Sequence, residues 1–228
     1  MLRPQHIEQK QPYVDDSCKL LLHMNGVSGN QQFIDSSNNS KVVTPYGNAC
    51  LSNSHYRFGG TSAYFDGTGD YLRIVSSSIP TGTSNFTVSF WWYESSGTPN
   101  YPTPFSFSTG GTYATSKIFI EGRTGLGSFL LHTPSVNSTF TFTRTQTTWN
   151  HWCLTRENGL YTLYYNGISV GTVSDTTSNT STYLQIGGDG SFYTTGYIDE
   201  FIYWNGIAFP IGMLYPQLRP YGYPIGGT

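Results

Sequence analysis

The feature that most constrains this chain is the dipeptide Asn166-Gly167 and what flanks it. On one side stands Tyr161-Thr162-Leu163-Tyr164-Tyr165, on the other Ile168-Ser169-Val170-Gly171. Runs of β-branched and aromatic residues between turn formers read as strands. A type I′ turn needs positive φ at both central positions, which Asn-Gly adopts at little cost. The spacing predicts a β-hairpin over 160–173. The pattern recurs from Thr148 to Phe209, through Trp149–Arg156, Tyr183–Ile186 and Gly196–Trp204, so a meander of hairpins is expected there.

Earlier in the chain the same reading gives a first core strand at Lys19–Met24, ended by Asn25-Gly26, and a short strand at Val42-Val43-Thr44. Residues 61–66 and 70–75 are expected to pair as a second hairpin across Gly67-Thr68-Gly69. Phe86, Val88 and Phe90 alternate with polar residues before Trp91-Trp92-Tyr93, which marks 85–93 as a central strand. Residues 94–116, with Pro99, Pro102, Pro104 and Gly110-Gly111, read as one long irregular stretch of the functional or mobile kind. Further strands are expected at 118–120, 128–132 and 139–143. Residues 1–17 read as an extended arm, 18–209 as the domain, and 210–228 as an extended Pro/Tyr-rich tail in which the proline spacing leaves no room for a strand.

No helix of three turns and no internal repeat is visible, so the expected class is all-β, a sandwich or a barrel. Periodicity does not choose between them. At 228 residues a single such domain can bury a substantial core. Charged residues are 11% and the formal net charge is −2, which argues against a nucleic-acid partner. No apolar run reaches the length of a membrane span. The first residues lack an apolar core, so no secretory signal is expected, and Cys18, Cys50 and Cys153 are expected to be free thiols. The five histidines show no zinc spacing. Cys153 lies two residues from His151, yet between Trp152 and Leu154 it reads as a packed core thiol. The aromatic residues are mostly core. Trp92, Tyr101, Tyr113 and Tyr193 are the candidates for stacking on a sugar, with loop Asn, Gln and Asp beside them.

Six segments in order carry a resemblance. They are Leu20–Gly26, Phe58–Leu72 (Phe-Gly-Gly-Thr-Ser-Ala-Tyr-Phe-Asp-Gly-Thr-Gly-Asp-Tyr-Leu), Phe86–Trp91, Trp149-Asn150-His151-Trp152, Tyr165-Asn166-Gly167 and Gly196-Tyr197-Ile198-Asp199-Glu200. Together they resemble the laminin-G-like group of the concanavalin A-like lectin/glucanase superfamily over 19–209. The resemblance implies a jelly roll of two antiparallel sheets that binds sugar or protein on the concave sheet or its rim loops. It also implies a structural calcium on Asp199, with Asn25 and the backbone of Gly60. Asn25 stands where many relatives have Asp, and Asp199 could instead cap a turn or pair with Arg156.

Hydrolytic relatives carry Glu-x-Asp-x-x-Glu, which is absent here. Retaining hydrolysis needs two carboxyls about 5 Å apart. The close acidic pairs are Asp15/Asp16, Asp66/Asp70 and Asp199/Glu200, and the five glutamates are scattered. No catalytic residue is expected. Domains of this type look similar to those on virion proteins of tailed bacteriophages. The expected role is therefore a non-enzymatic virion surface or tail-appendage protein, made in the host cytoplasm, that attaches to host glycan. The alternative is a structural cement protein anchored by its arm and tail. The expected partners are host glycan or other virion subunits, in a homo-oligomer or larger assembly.

Overall fold

In the computed structural model, residues 14–75, 81–97, 101–123, 125–215 and 220 are described. In chain order the strands begin with β1 (Cys18–Leu22), β2 (Thr44–Tyr46), β3 (Cys50–Ser52), β4 (Ser62–Asp66), β5 (Tyr71–Val75) and β6 (Thr81–Gly82). Next come β7 (Phe86–Glu94), β8 (Phe105–Ser108), β9 (Ser116–Gly122), β10 (Ser128–His132) and β11 (Asn137–Thr141). The last are β12 (Trp149–Glu157), β13 (Leu160–Tyr165), β14 (Ile168–Ser174), β15 (Asn179–Thr180), β16 (Tyr183–Ile186) and β17 (Thr195–Asn205). Two antiparallel sheets form. The eight-stranded sheet runs β14-β13-β12-β7-β17-β4-β3, with β1 also on β17, and the seven-stranded sheet runs β11-β10-β9-β8-β16-β5-β2.

The sheets face each other, which decides for the sandwich. From the larger sheet Phe86, Val88, Phe90 and Trp92 of β7 point inward, joined by Trp152, Leu154, Phe201 and Tyr203. From the smaller sheet they meet Phe105, Phe107, Ile118, Ile120, Leu184 and Ile186. Each such side chain, fully buried, contributes about 1.5–3 kcal/mol. Edge-to-face pairs such as Phe90–Phe105, with centroids 5.7 Å apart, lock the two layers.

The hairpin at Asn166-Gly167 forms as expected. Tyr165 pairs with Ile168, and φ is 47° at Asn166 and 78° at Gly167. Strand β7 is central, between β12 and β17. Three expectations are corrected. First, β4 and β5 do not pair: β4 joins β17 and β3, whereas β5 joins β16 and β2. The turn between them is a corner that carries the chain from one sheet to the other. Buried Asp70 holds it, accepting the Asp66 N–H at 2.9 Å and the Asn48 N–H at 2.7 Å. Second, residues 94–116 contain β8, whose four residues are all buried between β9 and β16. Third, the strand expected at 42–44 starts at Thr44, because Val42 stands in solvent.

Strand β17 changes partner along its length. Thr195–Ile198 pair with β4, and Phe201–Trp204 pair with β1. A bulge at Asp199-Glu200, with φ of 51° at Glu200, makes the switch. On the outer face of the larger sheet, Cys18, Leu21, Cys153, Ile202, Trp204 and Leu214 form a second small core with Val14, Phe209 and Ile211. Residues 14–17 and 206–215 thus belong to the fold. The remainder of the expected arm and tail, 1–13, 216–219 and 221–228, lies outside the described residues. All three cysteines are free, and burial pushes the Cys153 thiol far up. Among the described residues, no helix is long and apolar enough to cross a membrane.

Candidate functional site

The outer face of the seven-stranded sheet is where chemistry gathers. The pleat sends Leu72, Ile74, Leu184 and Ile186 inward, so Tyr71, Arg73, Tyr183 and Gln185 face outward. The register then aligns Arg73, Gln185, Ser106, Phe119 and His132 in one row across five strands. The next row carries Glu121. Three loops roof this floor: 101–104, 109–115 and 187–194. Two of them meet closely, because a Cβ at Gly190 would collide with the Gly111 carbonyl, and φ there is 87°. Only glycine suits both demands.

The roof is aromatic. Tyr113 sits edge-on to Phe192 at 5.0 Å and to Phe119 at 5.5 Å, and Phe119 stacks on His132 at 3.7 Å. Tyr101 meets Phe192 at 5.4 Å, with the Arg123 guanidinium over its ring. Alongside, Tyr193 stacks on Tyr71, and Tyr71 on Tyr46 at 4.5 Å. Arg73 lies over Tyr46, Tyr71 and Tyr183. Tyr101, Tyr113 and Tyr193 are half-buried, each with part of its surface in solvent.

Beneath the rings the floor is polar and incompletely satisfied. Ser106, Gln185 and Asp189 are fully buried. Ser106 Oγ, Gln185 Oε1, Asp189 Oδ2 and His132 Nε2 have no hydrogen-bond partner among the described residues. Each unmade hydrogen bond of this kind costs about 1–3 kcal/mol. Asp189 is held in place through its other oxygen, which accepts the N–H groups of Ser191 and Phe192 at 2.9 and 2.8 Å. Glu121 bonds Arg123 at 2.9 Å. Burial pushes the Glu121 carboxyl up to about 7, against the pull of Arg123 and aided by the charge of Asp189. Burial also raises Asp189 and lowers His132 to about 4, so the imidazole is neutral at pH 7.

Three of the four sugar-stacking candidates thus come together on one face. Trp92 does not. It is 1% exposed in the main core, packed on Trp152 and Phe129, because the alternation begun at Phe86 carries it inward. Glu121, Asp189, Ser106, Gln185 and Phe192 were not among the candidates. Glu121 and Asp189 lie far apart in sequence, and only the fold juxtaposes them.

The calcium candidates sit at the bulge on the other sheet. Asp199 Oδ2 accepts the N–H groups of Arg57 and Phe58 at 2.7 and 3.0 Å, and Oδ1 accepts that of Glu200 at 2.9 Å. Burial pushes the Asp199 carboxyl up to about 8, with those hydrogen bonds opposing. A carboxyl facing three N–H donors fits a latch on the 57–58 turn better than a cation ligand. Arg156 is not its partner; that guanidinium bonds the carbonyls of Thr83, Ser84 and Asp175. The oxygen left open there is Asn25 Oδ1, and Gly60 is exposed beside it. Among the described residues, no group of three or more His, Cys, Asp or Glu is placed to hold a metal ion.

The His151–Cys153 neighbourhood is also structural. His151 Nε2 meets Ser89 Oγ at 2.8 Å with the ring fully buried, and Cys153 lies in the small outer core.

A profile of the laminin G type, described as the concanavalin A-like lectin/glucanases superfamily, matches residues 66–208. No curated protein sequence matches the chain. Among solved structures, it is similar to the binding domain of botulinum neurotoxin serotype D, with a TM-score of 0.64 and 15% identity over 88% of this chain. It spans 51% of that domain, about half its length. It is also similar to domain 4 of AbnA, a GH43 extracellular arabinanase from Geobacillus stearothermophilus, in complex with arabinotriose. There the TM-score is 0.63 at 16% identity, over 87% of this chain and 98% of that one. A third is a botulinum neurotoxin type C structure whose cell entry depends on two ganglioside molecules, at TM-score 0.60 and 16% identity, covering 88% of this chain and 50% of that one. At these identities the likeness is one of fold.

Proposed function

We propose, from the premise that the chain belongs to the laminin G-like family of the concanavalin A-like lectin/glucanase superfamily, that it is a non-enzymatic glycan-binding module. The observation that carries this reading is the roofed face of the seven-stranded sheet. Half-exposed rings of Tyr101, Tyr113, Phe192 and Tyr193 stand over buried polar atoms that lack partners. A sugar supplies what such a face lacks, namely C–H surface for rings and hydroxyls that both donate and accept. Similar folds bind arabinotriose in one case and gangliosides in another, which supports the reading without fixing the sugar.

Hydrolysis is disfavoured. Glu121 and Asp189 are the two acids on this face, and both are buried, with one Asp189 oxygen committed to two N–H donors. The test is a glycan microarray on the full-length chain, read beside an assay for released reducing ends. Saturable binding to one sugar class without cleavage is the expected result. Silence across a broad array overturns the reading, and cleavage replaces it with a hydrolase.

The finer part of the proposal places the module on a virion surface or tail appendage, with host glycan as its target. Residues 14–17 and 206–215 pack on the sheet opposite the candidate face, so attachment through these segments would leave that face outward. The same packing favours the second reading, a decoration protein that binds neighbouring virion subunits through its ends. Electron microscopy of virions carrying the tagged protein distinguishes a tail from a capsid position. Calcium enters the proposal through Asn25 Oδ1 and loop carbonyls rather than through the Asp199 carboxylate.

A further inference from the structure

We infer that the roofed face selects neutral glycans and rejects those carrying a carboxylate, and that Glu121 and Asp189 are the residues that set this preference. The inference rests on the glycan-binding reading above and deepens it to a substrate class. Its basis is the charge balance beneath the roof. Two carboxyls occupy the face, each buried to 1% exposure or less. The cation bonded to them is Arg123, which reaches Glu121 at 2.9 Å and is itself partly in solvent. Arg73, along the same row, is engaged by three tyrosine rings and the Gly111 carbonyl. His132 is neutral at pH 7, and the Tyr113 hydroxyl is pushed above its usual range, so neither offers a positive charge.

The unpartnered atoms point the same way. Asp189 Oδ2 and Gln185 Oε1 are pure acceptors, and Ser106 Oγ can donate or accept. The ligand that completes them brings donors. Sugar hydroxyls do so at no charge cost. A sialic or uronic acid would add a third carboxylate within a few ångströms of two others, where water screens little. Like charges so placed cost far more than one lost hydrogen bond and lower affinity by about tenfold or more.

The experiment compares neutral lactose- and arabinose-based oligosaccharides with counterparts that carry one sialic or uronic acid, titrated against the full chain at pH 7.5. The neutral member of each pair should bind at least about tenfold tighter. Glu121→Gln and Asp189→Asn should each shrink that ratio, chiefly by admitting the acidic glycan. Arg123→Gln, at a partly exposed position, leaves both acids in place and should widen the ratio. Equal binding of both members, or an unchanged ratio in all three variants, overturns the inference and leaves the glycan-binding reading standing. Absence of binding to every neutral and acidic probe removes both.

Discussion

Replacing Glu121 by glutamine should stabilise this protein at neutral and alkaline pH, although it removes an ion pair. The carboxyl is 1% exposed, and burial lifts it from 4.5 to about 7. Its folded value lies above its unfolded value, so the folded state holds its proton more tightly. Stability from this group is therefore fully present below pH 4.5 and is lost as pH rises through 7. At about 1.4 kcal/mol per pH unit, the shift corresponds to about 3 kcal/mol. The partial exposure of Arg123 tempers this to about 2 kcal/mol.

Urea unfolding of the natural chain and Glu121→Gln at half-unit steps from pH 4.5 to 8.5 gives the difference directly. Asp189, Asp199 and His132 titrate in both proteins, so their contributions largely cancel. The two should be nearly equal at pH 4.5, and the variant should be more stable by about 2 kcal/mol at pH 8.5. Parallel profiles, or a variant less stable at high pH, would refute the argument. Either result would mean that the Arg123 pair outweighs desolvation.

Other substitutions probe the frame around the site. Glu94 receives Arg144 Nε at 2.8 Å, Arg144 Nη2 at 3.2 Å and Gln146 Nε2 at 2.9 Å, with both charged side chains nearly buried. Glu94→Gln leaves the guanidinium underpaired and should cost about 3 kcal/mol or more in urea unfolding; a loss below about 1 kcal/mol contradicts the pairing. Gly190→Ala forces a Cβ against the Gly111 carbonyl at positive φ. It should destabilise by about 1–3 kcal/mol and weaken glycan binding, read by calorimetry. Exhaustive chelation should lower the melting temperature, and Asn25→Ala should abolish that response; an unchanged melt after chelation removes calcium from the account.

The parts of this architecture written locally could be read in advance. Asn166-Gly167 dictates its own turn, and the Phe86-Val88-Phe90 alternation marks a central strand whatever surrounds it. The alternation also reaches Trp92, so the pleat already turned that ring inward. What depends on pairing was hidden. The period-2 pattern of 61–66 and 70–75 is the same whether the strands pair with each other or lie in opposite sheets. The corner is decided by Asp70, which bonds Asn48 from a distant loop. Strand β8 is four residues between prolines, too short to stand out. Two adjacent acids, Asp199 and Glu200, were legible but their bulge was not, because it exists to let β17 exchange β4 for β1. For the site, Tyr101, Tyr113 and Tyr193 were legible as loop aromatics. Glu121 and Asp189 were not, because a carboxylate pair built across a sheet leaves no spacing in the chain.

The central claim is that glycan is bound on the roofed face of the seven-stranded sheet. The larger sheet offers a rival surface, a row of half-buried rings from Trp149 through Tyr93 and Tyr197 to Tyr64. The most direct measurement is the affinity of the best neutral oligosaccharide from the array for the natural chain, Tyr113→Ala, Gln185→Ala and Tyr93→Ala, each checked for folding by circular dichroism. Tyr113→Ala and Gln185→Ala should each weaken binding at least about tenfold, while Tyr93→Ala leaves it unchanged. Binding that survives both roofed-face substitutions and disappears with Tyr93→Ala would contradict the account and move the site to the opposite sheet.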